Sequence, residues 1–220
     1  MKPISSPKRN CVPSEGLWDW SNATIIKSYP SIRNYLGAFF EEATLALTGA
    51  ARLKTEARKV CPDAMILGTL TFIEAKSVGR SLRSPVYVWR IEQYDQMLTQ
   101  PGVKLYYIFW IHTYQFPHNG LPTPMTDLYT NVAQQVKSAV IVDAHTVHST
   151  LLFETARLMA YRGTDRTASP STGKLPAKTV TREMLTRWSS RLVEVKDMQV
   201  FGKQVHVTVY GDEIEGGQNG

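Results

Sequence analysis

Two acidic residues and a lysine between positions 63 and 76 are the clearest candidates for catalysis. Asp63 follows Pro62, and the tripeptide Glu74-Ala75-Lys76 begins eleven positions after Asp63. Two carboxylates can share a divalent metal ion, and a lysine can orient or help deprotonate an attacking water. Phosphodiester hydrolysis needs these groups together, so the pattern predicts a nuclease.

The segments around these residues predict two adjoining strands. Residues 64–67 and 70–76 are rich in apolar and β-branched side chains, with a Gly-Thr break between them. Because side chains alternate along a strand, Glu74 and Lys76 should share one face. We therefore expect Asp63, where the first strand begins, and Glu74, near the end of the second, to meet at one end of a sheet.

A helix upstream offers a third carboxylate. Residues 31–47 place apolar side chains at helical spacing, and Gly49 follows as a stop signal. Glu41 and Glu42 both lie in the second half of this segment. Either side chain could reach the two strands, and the spacing within the helix alone leaves the choice open.

The helix, the Pro-Asp pair and the Glu-Ala-Lys tripeptide, in this order, resemble the PD-(D/E)xK nuclease superfamily, which has the restriction-endonuclease-like fold. The resemblance covers mainly residues 35–112. It implies that Mg²⁺, or Mn²⁺ in its place, is held by a set of oxygen ligands: the carboxylates of Glu41, Asp63 and Glu74 and the backbone carbonyl of Ala75. It also implies that Lys76 orients or helps deprotonate the attacking water.

The resemblance bears on the choice between the two helix acids as well. Glu41 lies four residues after Gly37, as the helix acid does in many members of the superfamily. This spacing favours Glu41, with Glu42 as the alternative.

The order of predicted elements along the chain indicates an α/β fold with a mixed central sheet flanked by helices. Beyond the strands above, we predict helices at 86–98, 126–137 and 148–162, a buried strand at 104–114, a short strand at 139–142 and a hairpin at 193–209. Residues 1–15 read as a flexible arm, 16–214 as a single nuclease domain, and 215–220 as a disordered tail.

The charge of the chain favours an anionic partner. The net charge is +6 and the pI about 9.3. Residues 150–191 hold eight basic and three acidic residues, a local charge of +5, so we predict DNA contacts from about 150 to 210. The candidate DNA-binding residues are Arg80 and Arg83 near the scissile phosphate, Arg90 and Gln93 on the following helix, and Arg162, Arg166, Lys174, Lys178 and Arg182 in the basic part.

Several classes of protein are disfavoured. Two cysteines make no disulfide framework and no paired zinc motif. The longest apolar stretch, residues 105–111, is too short to cross a bilayer. We expect a cytoplasmic protein with no membrane partner and no organic cofactor. Asp143, His145 and His148 could form a second metal site, but hydrogen-bonded or surface histidines are commoner.

These observations predict a Mg²⁺-dependent DNA endonuclease resembling type II restriction enzymes. By that resemblance it would be a homodimer, since two copies of one site can cut both strands of a palindrome in double-stranded DNA. One alternative is a structure-selective repair or recombination nuclease, such as a Holliday junction resolvase. The other is a catalytically inactive DNA-binding protein, although such a protein has no reason to keep like charges together.

Overall fold

The structure is a computed structural model that describes residues 29–53, 61–80, 84–115, 125–152 and 177–214. The predicted arm and tail lie outside these residues. In chain order, the elements are α1 (Tyr29–Thr48), β1 (Ala51–Arg52), β2 (Ala64–Met65), β3 (Thr71–Val78), β4 (Ser84–Tyr87), α2 (Val88–Leu98), β5 (Lys104–His112), α3 (Met125–Gln135), β6 (Val136–Asp143), α4 (144–152, as far as it is described), β7 (Ala177–Val180), α5 (Arg182–Trp188), β8 (Leu192–Val200) and β9 (Lys203–Gly211).

Within the described residues, seven strands form one sheet in the order β1-β2-β3-β5-β6-β9-β8, and β4 pairs with β7 in a separate two-stranded sheet. The β3–β5 and β6–β9 pairs are parallel, and the other pairs are antiparallel. The predicted α/β class with a mixed central sheet and flanking helices is confirmed. No described helix has both the length and the apolar character that crossing a bilayer requires.

The central strand β5 is buried on both faces, as its continuous apolar sequence predicts. On one face, Ile108 and Trp110 belong to the cluster that includes the apolar residues of α1 and α3. On the other face, Tyr107 and Phe109 belong to the cluster formed with α2, α4 and α5. The sheet is therefore the middle layer of three, and side chains on neighbouring strands of one face lie close together.

Helix α1 packs through the stripe that its sequence predicts. Its apolar residues at helical spacing are all at most 5% exposed: Leu36, Phe39, Phe40, Ala43 and Leu47. Burying a side chain as large as Phe contributes about 2 to 3 kcal/mol. Thr44 fixes the helix further, since its hydroxyl donates to the Phe40 carbonyl and accepts from the Trp110 indole, both at 2.8 Å. The helix ends where Gly49 adopts a φ of 68°, the left-handed conformation that favours glycine.

Several predicted helix boundaries differ from the structure. Helix α1 begins at Tyr29 and not at 31, and α3 ends at Gln135 and not at 137, because β6 begins at Val136. The helix expected at 86–98 begins at Val88, because residues 84–87 pair with 177–180 as a β-ladder. The helix expected from residue 148 already begins at 144, directly after β6. For α2 the competing partner lies far away in the sequence, so local spacing could not reveal it.

The predicted hairpin at 193–209 is present as β8 and β9. Phe201 and Gly202 connect the strands with φ values of 49° and 69°. Two consecutive positive φ values indicate a type I′ turn, whose twist suits a two-residue hairpin.

His112, the last residue of β5, makes the stability of the fold dependent on pH. Its side chain is only 4% exposed and stacks on Phe40 with ring centroids 5.1 Å apart. Burial lowers the pKa of His112 to about 4 from its ordinary 6.5. The unfolded chain therefore binds a proton that the folded chain excludes between these two values. Stability that is full above pH 6.5 is lost as the pH falls toward 4.

We predict that replacing His112 with Phe removes this dependence. A shift of this size corresponds to about 3 kcal/mol lost between pH 7 and 4, and the phenyl ring keeps the stacking without a titrating group. Urea unfolding at several pH values measures the free energy of unfolding of both proteins. His206→Phe, an exposed position on β9, is the control and should keep the acid-induced loss. An equal loss in His112→Phe and the unmodified protein would contradict the prediction.

Candidate active site

Asp63 is held beside the Glu74–Lys76 segment by the end of a short β-ladder. Strand β2 pairs with β3 only through Ala64 and Met65. One residue earlier, the Asp63 side chain takes the place of a strand partner, since its Oδ2 accepts the Ala75 backbone N–H at 2.7 Å. The structure thus brings together the two segments that the sequence predicts to meet.

Glu74 lies at the centre of the site and is completely buried. Its Oε1 accepts from Lys76 Nζ and from Arg90 Nη1, and its Oε2 accepts from the Tyr94 hydroxyl at 2.7 Å. Burial raises the pKa of Glu74, but the charges of Lys76 and Arg90 and the hydrogen bonds from Lys76 and Tyr94 outweigh it. The pKa of Glu74 is therefore below its ordinary value, and the group is a buried carboxylate with two cationic partners.

Helix α2 supplies the second half of this network. Arg90 and Tyr94 are four residues apart, so they lie on one face of the helix and both reach Glu74. Arg90 is one of the predicted site residues, whereas Tyr94 is not among them. The signal that could have identified Tyr94 is its spacing from Arg90. Gln93, which we expected near the site, is exposed and takes no part in the contacts to Glu74.

Asp63 and Glu41 share the electrostatic environment of Glu74. Burial, followed by the charges of Glu74 and Glu41, raises the pKa of Asp63 to about 8, although Lys76 and the Ala75 N–H oppose the shift. Burial also raises the pKa of Glu41, opposed by Arg52 and strengthened by Glu74. Three carboxylates thus lie close enough to repel one another.

The structure separates the two helix acids. Glu42 forms an ion pair with Arg52 at 2.8 Å. Glu41 is the acid whose charge interacts with Glu74, Lys76 and Arg90. Of the two alternatives, Glu41 therefore faces the candidate site.

The residues fit a hard divalent cation in charge and in ligand type. Three acids face two cations, Lys76 and Arg90. Burial, together with the charges of Glu74 and Glu41, raises the pKa of Asp63 to about 8, so Asp63 keeps its proton at neutral pH, and a bound cation would displace that proton. Carboxylate oxygens are the ligands that Mg²⁺ prefers. Within the described residues, no group of three or more His, Cys, Asp or Glu side chains is placed to hold a metal ion as it stands. Joint ligation by all three carboxylates would therefore require side-chain movement.

The predicted DNA-binding residues are only partly described. Arg80 is exposed in the turn after β3, and Arg182 is exposed at the first position of α5. Lys178 belongs to β7, whose backbone pairs with β4. Four of the predicted residues lie outside the described ranges: Arg83, Arg162, Arg166 and Lys174.

A separate cleft of about 630 Å³ lies between α2, the start of β5 and α4. At its wall, His148 forms hydrogen bonds through Nδ1 with Asp95 at 2.6 Å and through Nε2 with the Tyr107 hydroxyl at 2.8 Å. His148 is therefore a hydrogen-bonded histidine, the commoner of the two roles considered for it in the sequence. The cleft shares no lining residue with the Glu74 network, so the two are separate features of the surface.

We predict that Glu74→Ala destabilises the protein strongly in a metal-free buffer. The change leaves Lys76 and Arg90 partly buried without their carboxylate, and breaking a buried ion pair costs about 3 to 5 kcal/mol. Urea unfolding in the presence of a chelator measures this loss. Glu92→Ala, an exposed position on α2, is the matched control and should change stability by less than about 0.5 kcal/mol. Coincident unfolding curves for Glu74→Ala and the unmodified protein would show that the network carries no stability.

The site therefore joins three carboxylates, a lysine, an arginine and a tyrosine from α1, the β2–β3 pair and α2. Comparisons of the chain with protein-family models, with curated proteins and with solved structures gave no match.

Proposed function

We propose that the protein is a Mg²⁺-dependent deoxyribonuclease that hydrolyses phosphodiester bonds in double-stranded DNA. One observation carries the proposal: the Asp63 carboxylate is fixed on the Ala75 N–H, directly beside Glu74 and its partner Lys76. Two acids and a lysine at a strand edge, with Glu41 nearby, form the set that metal-dependent phosphodiester hydrolysis needs.

The roles of the residues follow from their chemistry. Asp63, Glu74, Glu41 and the carbonyl of Ala75 would hold the metal. When bound, Mg²⁺ supplies a Lewis acid that neutralises the phosphate and favours ionisation of water. Lys76 projects from the same strand as Glu74, its side chain 18% exposed, and orients the attacking water. Tyr94 keeps the Glu74 carboxylate oriented from the opposite side.

The order of elements supports a restriction-endonuclease-like core. Helix α1 precedes the antiparallel β2–β3 pair, and α2 connects β3 to the parallel strand β5. The acids come from the first three of these elements, where the resemblance to the PD-(D/E)xK superfamily places them. Sequence-specific cleavage by a homodimer is the form of the proposal that the resemblance to type II restriction enzymes favours.

We predict that Asp63→Asn and Lys76→Met each reduce cleavage by at least about 100-fold while leaving DNA affinity nearly unchanged. The amide keeps the shape of Asp63 but loses its charge, and methionine keeps the stem of Lys76 but loses its amine. Plasmid digestion with Mg²⁺ measures cleavage, and fluorescence anisotropy with labelled duplex measures binding.

Asp197→Asn on β8, exposed and far along the sheet, is the matched control and should cleave normally. Sequencing of the product ends distinguishes a fixed recognition site from cutting at branched structures. Mg²⁺-dependent cleavage by Asp63→Asn at the unmodified rate would reject the assignment.

A second prediction concerns the helix acid. Glu41→Gln should weaken Mg²⁺ binding, so that half-maximal cleavage needs about tenfold more metal, because one ligand charge is lost. Glu42→Gln should leave cleavage unchanged and cost under about 1 kcal/mol of stability, since it breaks a partly exposed ion pair with Arg52. Titrating cleavage against Mg²⁺ for both variants tests this. The reverse pattern would identify Glu42 as the ligand.

A further inference from the structure

Arg90 occupies a central place among the acids of the site. Its Nη1 donates to Glu74 Oε1, and its charge also interacts with Asp63 and Glu41. The side chain is 22% exposed, so the guanidinium is largely enclosed but within reach of solvent. In the absence of a metal ion, Arg90 thus provides positive charge to all three carboxylates.

Two cations converge on the same oxygen of Glu74. Lys76 and Arg90 both contact Oε1, while Tyr94 holds Oε2. Every described contact to the Glu74 carboxylate is therefore with a hydrogen-bond donor. A divalent cation that bound Glu74 would lie close to both positive groups, and like charges at such a distance repel strongly. One of the two cations has to move for a metal to bind well.

Arg90 is the cation that can leave. Lys76 extends from β3 itself, two residues after Glu74, so the strand keeps it near the carboxylate. Arg90 reaches across from α2 at the end of a long stem. Tyr94 would still hold Glu74 in place after Arg90 had turned away.

The charges of the site suggest where the guanidinium goes. Asp63, whose pKa is raised to about 8 by burial and by the charge of Glu74, keeps its proton at neutral pH until a metal displaces it. With a divalent ion bound and all three acids ionised, three carboxylates, two cations and the ion give one net positive charge. A phosphodiester group, with a single negative charge, restores neutrality. A guanidinium binds phosphate oxygens through two parallel hydrogen bonds, which makes it well suited to this partner.

We propose that Arg90 is an internal counter-cation that pairs with Glu74 until a divalent ion binds and then transfers its guanidinium to a phosphate of the substrate. The inference rests on the proposed nuclease function. It adds that metal binding and phosphate binding are coupled through one side chain. It also makes Arg90 a competitor of the metal in the free protein.

Calorimetric titration with Mn²⁺ in the absence of DNA tests the competition. Arg90→Met should bind Mn²⁺ about tenfold more tightly than the unmodified protein, because a like charge has been removed. Arg90→Lys keeps the charge and should stay within about twofold of the unmodified affinity. Arg187→Met, an exposed position on α5, is the matched control and should not change the affinity.

Steady-state cleavage at saturating Mg²⁺ tests the phosphate contact. Both Arg90→Met and Arg90→Lys should lower kcat/KM by about tenfold or more, since neither side chain offers the paired donors of a guanidinium. Circular dichroism establishes that the variants are folded. Should Arg90→Met not fold, Arg90→Gln replaces it, because its amide can still donate to Glu74 and it carries no charge.

The outcomes separate this inference from the proposed function. If the unmodified protein binds Mn²⁺ and the uncharged Arg90 variant binds it no more tightly, the competition is rejected while the nuclease proposal stands. Unchanged kcat/KM in Arg90→Lys would reject the transfer to phosphate. If neither the unmodified protein nor the variant binds Mn²⁺, the proposed function fails and the inference fails with it.

Discussion

The buried carboxylate of Glu74 is the constraint on which the rest of the site depends. A fully buried negative charge is costly unless cations and hydrogen-bond donors surround it. Lys76, Arg90 and Tyr94 meet this requirement from β3 and α2. Strand β3 and helix α2 must therefore be docked for the charge to be enclosed, and their docking fixes the positions of Lys76, Arg90 and Tyr94 around it.

Around Asp63 and Glu41, in contrast to Glu74, burial and neighbouring negative charges outweigh the stabilising contacts. Burial, followed by the charges of Glu74 and Glu41, raises the pKa of Asp63, and its one backbone donor does not offset this, while the pKa of Glu74 is lowered by its cationic partners. The ionised Glu74 joins β3 to α2 through its contacts with Lys76, Arg90 and Tyr94, whereas Asp63 and Glu41 lie in surroundings that disfavour further negative charge.

Much of the site could be predicted from the sequence because its first half is local. Alternation places Glu74 and Lys76 on one face of β3, and the short turn between β2 and β3 brings Asp63, just before β2, beside them. Helix α1 could be predicted from its apolar residues at helical spacing, and strand β5 from its continuous apolar sequence. The side-chain network around Glu74 was harder to predict from the sequence.

The contacts of Arg90 and Tyr94 depend on the rotation of α2 about its axis, which tertiary packing decides. Ile91 and Tyr94 are buried against β5 and its neighbours, and this packing turns Arg90 toward Glu74. The β4–β7 pair depends on segments far apart in the chain and has no local signature. For this reason the predicted start of α2 was two residues early.

The shortness of β2 has a consequence for the approach of any ligand. Its ladder with β3 stops at Ala64, so within the described residues the outer margin of β3 from Lys76 to Val78 has no neighbouring strand. Lys76 lies on this margin with its side chain 18% exposed, while Glu74 is completely buried, so the site meets solvent at an open margin of the sheet and not inside the 630 Å³ cleft. A ligand approaching along this margin would meet the Lys76 amine before the buried carboxylate.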